Sequence, residues 1–111
     1  MQLRLTKPWI ELTEANARSA GGHLGVYQLA NDAGEVVYIG FAGGRELFGL
    51  RSALEQHARL RTAGATRFRY EVNMQYTSRH RELLMLHMAD HNGSLPPGNE
   101  RDHPVELGQI G

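Results

Sequence analysis

Two short segments rich in β-branched and aromatic residues, Gly25-Val26-Tyr27-Gln28-Leu29-Ala30 and Glu35-Val36-Val37-Tyr38-Ile39-Gly40, flank the turn composition Asn31-Asp32-Ala33-Gly34. This pattern is a β-hairpin, and it restricts the fold more than any other feature of the chain. A symmetric loop over 31–34 would set Tyr27 directly opposite Tyr38. The two phenols would then stand on one face, with Val26 and Ile39 pointing to the other.

The remaining elements follow from periodicity and punctuation. Thr13 can cap a short helix over Glu14 to Ala20, which Gly21-Gly22 would end. After Gly43-Gly44 the three- and four-residue steps of Leu47, Leu50, Ala53, Leu54, His57 and Ala58 predict an amphipathic helix to Arg61, stopped by Gly64. Arg67-Phe68-Arg69-Tyr70-Glu71-Val72 alternates as a half-buried strand does. Thr77 or Ser78 can cap a second long helix through Asp90, with Asn92-Gly93 beyond it and Leu95-Pro96-Pro97-Gly98-Asn99 as a rigid turn. No βαβ series is present, so the expected class is α+β: a three-stranded, largely antiparallel sheet flanked by helices. Residues 1–21 read as an N-terminal extension, 22–99 as the domain and 100–111 as a polar tail.

With 111 residues, one domain is the expectation. No apolar run is long enough to span a bilayer, and the first residues lack the apolar core of a signal peptide, so a cytoplasmic location without membrane attachment is expected. The absence of cysteine excludes disulfides, thiolate metal sites and cysteine nucleophiles, leaving oxygen and imidazole as metal ligands. The zero net charge conceals a division: residues 45–81 carry eight arginines against Glu46, Glu55 and Glu71, whereas both flanking blocks are net acidic. A basic middle can attract phosphate although the whole molecule has no net field. It can equally be a solvated surface.

Gly25-Val26-Tyr27 and Tyr38-Ile39-Gly40, with ten residues between the tyrosines, resemble the paired triplets of the GIY-YIG nuclease superfamily. The resemblance extends over residues 22–99: an arginine on the helix after the hairpin (Arg51), a glutamate on a later helix (Glu82) and an asparagine just past a proline (Asn99) occur in the family's order. It implies a metal-dependent endonuclease. Mg²⁺, or Mn²⁺, would be held by Glu82 with water and substrate phosphate, as Mg²⁺ often uses only one or two carboxylates. Arg51 would clamp the scissile phosphate, Tyr27 would move the nucleophile's proton with Tyr38 orienting it, and Asn99 would brace the site. Arg45, Arg59 and Arg61 would contact the nucleic acid, with DNA favoured over RNA. The short chain leaves little room for a targeting domain, which implies structure-selective cutting or a protein partner.

The chain departs from the family pattern in two places. Phe41-Ala42-Gly43 follows the second triplet where small or polar residues are usual. Glu55 stands one turn beyond Arg51, where the family often has His or Tyr. The nearest histidine, His57, shares the apolar stripe, so it reads as a partly buried, hydrogen-bonded ring and a secondary site candidate. These departures leave an alternative, a GIY-YIG-like module that binds nucleic acid or a protein without cutting. His87 and His91, four apart with Asp90 between them, have metal-ligand spacing but lack the glutamate of a metalloprotease helix and a third ligand. His23, His80 and His103 read as surface residues, and no serine-hydrolase or phosphate-loop motif occurs.

Overall fold

The computed structural model describes residues 4–44 and 48–102. Strand β1 (Ile10–Glu11) leads into helix α1 (Glu14–Arg18), the hairpin β2 (Gly25–Ala30) and β3 (Val36–Ala42), and helix α2 (Gly49–Leu60). A 3-10 turn (Thr62–Gly64) then precedes strand β4 (Arg67–Val72), helix α3 (Tyr76–Asp90) and helix α4 (Pro97–Asp102). The domain is α+β, with one antiparallel sheet in the order β1-β4-β2-β3. No helix among the described residues is long and apolar enough to cross a membrane.

The sheet has four strands, not the expected three. The extra one, β1, has only two residues, too few to show a period, and pairs through Ile10↔Phe68 and Glu11↔Arg67. Thr13 caps α1 as expected, its hydroxyl accepting from the Asn16 N–H at 3.0 Å. Helix α1 packs on α2 with Leu12, Ala17 and Ala20 in the main core, so residues 12–20 join the same core as the hairpin. The expected rigid turn at 95–99 becomes α4, and the boundary expected between 99 and 100 falls inside it.

The hairpin register also differs from the symmetric expectation. Asn31 Oδ1 accepts from the Ala33 and Glu35 N–H groups, both at 3.0 Å, which folds the loop about the asparagine side chain. An irregularity between Leu29 and Ala30 then shifts the pairing, so Tyr27 lies opposite Gly40 and Tyr38 opposite Leu29. The displacement is two residues, one full period of a strand, so both tyrosines keep a common face. Their rings are diagonal neighbours, with centroids 6.2 Å apart.

Alternation along the strands divides the core. Leu29 and Phe68 face α1 and α2 with Leu12, Leu50 and Leu54, all fully buried, and each such side chain contributes about 1.5–3 kcal/mol on burial. Val26 and Ile39 face the other way, against Leu83 and Leu84 of α3 and Leu5. Strand β3 forms the edge of the sheet nearest α4, and the side chain of Asn99 completes it. Asn99 Oδ1 accepts from the Ile39 N–H and Asn99 Nδ2 donates to the Ile39 carbonyl, both at 2.8 Å. One buried amide thereby satisfies a residue whose backbone groups point away from β2.

Candidate functional site

The glycines of the two triplets have separate steric reasons. A Cβ on Gly25 would lie 2.1 Å from the Glu71 carbonyl oxygen, so glycine there lets β2 and β4 approach. A Cβ on Gly40 would lie 2.5 Å from the Tyr27 hydroxyl, so glycine there clears the space that the Tyr27 ring occupies. The triplets thus hold the phenol over the edge strand.

Tyr27 is 3% exposed, and its hydroxyl lies 2.8 Å from His57 Nε2 on α2. On the far side of the imidazole, His57 Nδ1 is 2.6 Å from Thr62 Oγ1. The Tyr38 ring lies beside this chain, with its centroid 4.9 Å from that of His57. These four residues and Asn99 line a cavity of about 770 Å³, within the range of about 300–1,000 Å³ common for ligand pockets. Its rim carries a second aromatic group: Phe41 stacks on Tyr76 at 5.5 Å, and His80 meets the Phe41 edge at 4.9 Å. His80, expected at the surface, is half-buried, with Nε2 3.0 Å from the Ile39 carbonyl; because a carbonyl only accepts, Nε2 carries the hydrogen.

Thr62 reaches His57 through an unusual turn. Arg61 (φ 51°) and Ala63 (φ 53°) are left-handed, a conformation that costs a non-glycine residue about 1 kcal/mol or more. The Arg61 N–H donates to the His57 carbonyl at 2.8 Å, and the Ala65 N–H donates to the Thr62 carbonyl at 2.9 Å. α2 therefore ends one helical turn beyond His57 and folds back immediately. The expected stop residue, Gly64, closes this turn and does not begin it.

The sequence candidates separate. Tyr27, Tyr38, His57 and Asn99 meet in the cavity, whereas Arg51 and Glu82 do not line it. Arg51 is a correction to the expected convergence: it lies on the α2 stripe shared with Glu55, 3.6 Å from that carboxylate, while Ala53, Gln56, His57 and Leu60 take the stripe facing the cavity. Glu55 in turn accepts from Arg18 of α1 at 3.1 Å. The Arg51 guanidinium also lies 5.3 Å from the Phe48 ring.

Glu82 is the second correction. It accepts from Arg79 and borders a separate cleft with Ser78, Arg81 and Met85. Arg79, only 8% exposed, also donates to Glu71 at 3.0 and 3.1 Å, and Asn73 adds a bond to Glu71 at 2.9 Å. Burial opposes the charge on Glu71, but the hydrogen bonds from Arg79 and Asn73 and the Arg79 charge outweigh it and hold the carboxyl below its ordinary value. The same two carboxylates raise Arg79 despite its burial.

The basic block is dispersed. Arg59 is paired with Glu14 at 3.2 Å, and Arg61 borders a different cleft with Glu11 and Asp32. Arg45 lies outside the described residues. Arg69 stacks over Trp9 at 4.0 Å and donates to Gln28 at 2.8 Å. At the C-terminal end of α3, His87 and the following His91 stack at 3.9 Å, and Asp90 binds Arg4. No group of three His, Cys, Asp or Glu side chains suited to a metal occurs among the described residues.

Among the described residues, the cavity brings together no donor set that matches the Mg²⁺ implied by the resemblance. The cavity lining has three phenols, two threonines, two amides and two imidazoles, but no carboxylate among the described residues, whereas Mg²⁺ selects hard oxygen ligands. Glu82 is already engaged by a cation. Sequence reasoning missed Thr62, Tyr76 and His80. The i, i+4 spacing of Tyr76 and His80 was the one signal that could have placed them together; Thr62 had none.

The fold and site define an α+β domain with an edge cavity in which a buried phenol is hydrogen-bonded to an imidazole. The chain belongs to a family described as a domain of unknown function, DUF7508, whose model matches residues 1–90. The match includes Tyr27, Tyr38, His57 and Thr62, and stops before Asn99. No curated protein and no solved structure matches the chain.

Proposed function

We propose that the domain hydrolyses phosphodiester bonds in nucleic acid, the reaction class of the GIY-YIG nucleases it resembles, with the reaction centred on Tyr27. The observation that carries this reading is the 2.8 Å contact between the Tyr27 hydroxyl and His57 Nε2 inside an accessible cavity. A phenol that passes its proton to an imidazole can accept one from an attacking water in the same step. The hydroxide so formed attacks phosphorus, the P–O bond to the leaving strand breaks, and the leaving oxygen takes a proton from solvent. The resulting imidazolium supplies positive charge beside the reacting phosphate. Tyr38 orients the water, and Asn99 holds the edge strand that carries Tyr38. No step is assigned to Glu82, Arg51 or a metal.

A second reading has its own observation. Arg51 and Glu82 lie away from the cavity, and the Phe41–Tyr76 pair offers a face on which bases can stack, which favours binding of a strand without cutting. The test is a cleavage assay on single-stranded, duplex and branched DNA and RNA, with and without Mg²⁺ or Mn²⁺, run beside anisotropy binding on the same labelled strands. Wild type is expected to cleave, Tyr27→Phe to fall to background and Glu82→Ala to stay active. Hydrolysis at background by all three, with binding retained, overturns the nuclease reading in favour of the binding module.

A further inference from the structure

Thr62 has a relation to His57 that neither the motif nor the resemblance assigns. A neutral imidazole has one N–H and one lone pair, so the partner on one nitrogen decides what the other can do. Phenol is the stronger acid and imidazole the stronger base of the pair Tyr27–His57, so their hydrogen bond runs from the phenol O–H to Nε2. Nδ1 must then carry the hydrogen, and the group facing it at 2.6 Å is Thr62 Oγ1.

The backbone supports the same assignment. An ordinary helix end would place glycine at the left-handed positions, but here Arg61 and Ala63 adopt them on either side of Thr62. The return is then clamped from both sides: the Gly64 N–H donates to the Arg61 carbonyl at 2.9 Å, and the Thr66 N–H donates to the Ala30 carbonyl at 2.8 Å. A looser connection could join α2 to β4 without strain. This tight one brings a hydroxyl back over the last turn of α2, five residues beyond the ring it meets.

We propose that Thr62 is a positioning residue: it accepts the Nδ1–H of His57, leaving Nε2 with the lone pair that receives the Tyr27 proton, and the left-handed turn exists to carry it there. The proposal rests on the reading of Tyr27 as the proton-transfer group, and its test separates the two. In ¹⁵N-histidine-labelled full-length protein, at a pH where His57 is neutral, long-range ¹H–¹⁵N spectra report which ring nitrogen is protonated. Wild type is expected to show protonated Nδ1 and bare Nε2 at His57. Thr62→Val is expected to transfer the hydrogen to Nε2 and to lower cleavage at least tenfold, while Thr62→Ser restores both. Protonated Nε2 in wild type, or an unchanged tautomer in a folded Thr62→Val, overturns the positioning role. If wild type cleaves nothing but the tautomer follows Thr62 as described, the nuclease reading fails and the assignment of Thr62 stands.

Discussion

On the α2 side of the sheet, Tyr27, His57 and Thr62 form a chain of uncharged hydrogen-bonding groups beside a cavity; on the α3 side, Arg79 is held between Glu71 and Glu82. Both are part-buried polar networks in one small domain, but they differ in what they can do. The neutral chain can pass a proton along it, because each member both donates and accepts. The charged triad cannot, because a guanidinium keeps its protons and accepts none, and removal of Arg79 leaves two carboxylates without their cation. The first arrangement suits a reaction, and the second suits attachment of α3 to the sheet. Glu82, the residue the motif would make a metal ligand, has gone to the second.

The comparison can be broken most directly at Arg79. Arg79→Met is expected to cost about 2–4 kcal/mol in urea unfolding, because Glu71 and Glu82 lose their cation. A loss comparable to an exposed ion pair, under about 1 kcal/mol, would remove the distinction between the two faces. The pH dependence has a defined sign. The Glu71 carboxyl is held below its ordinary value of 4.5, so its contribution is complete above 4.5 and is lost as pH falls through the lower folded value. Stability of Arg79→Met should therefore decline less steeply below 4.5 than that of wild type.

Tyr27→Phe tests the other face. It is expected to reduce cleavage about 100-fold or more while changing stability by less than about 2 kcal/mol, since the ring and its packing remain. Asn99→Ala should cost about 1–3 kcal/mol in unfolding by leaving the Ile39 N–H without its acceptor, and should lower cleavage in proportion as the edge strand loosens. Ala63→Gly is the smallest effect and sharpens the contrast. Relief of the left-handed conformation should raise stability by about 0.5–1 kcal/mol, while the slacker turn lowers cleavage a few-fold. A gain in both would mean that the turn has no part in placing His57.

Much of the fold could be read from the chain because its signals are local. The Thr13 cap, the strand over 67–72 and the glycine-bounded hairpin each rest on signals within a few residues, and each appears where the pattern places it, although Val72 at the end of β4 is exposed. Even the error in hairpin register left Tyr27 and Tyr38 together, because a slip of two residues preserves the face. β1 carries no sequence signal because two residues have no period, and α4 carries none because Pro96-Pro97-Gly98 resembles a turn although Pro97 opens a helix.

The site was legible only in part, and Arg51 and Glu82 show why. Spacing places each on a helix, but the direction it faces depends on how that helix is rotated against the sheet. That rotation is set by Leu50 and Leu54 for α2 and by Leu83 and Leu84 for α3, through packing against distant strands. The sequence by itself determined the types of the longer elements and the shared face of the two tyrosines, since these follow from backbone geometry over short range. Only the tertiary structure decided that His57 meets Tyr27, that Thr62 folds back onto His57 and that Arg79 reaches Glu71 on β4, because no helical or strand period encodes those contacts.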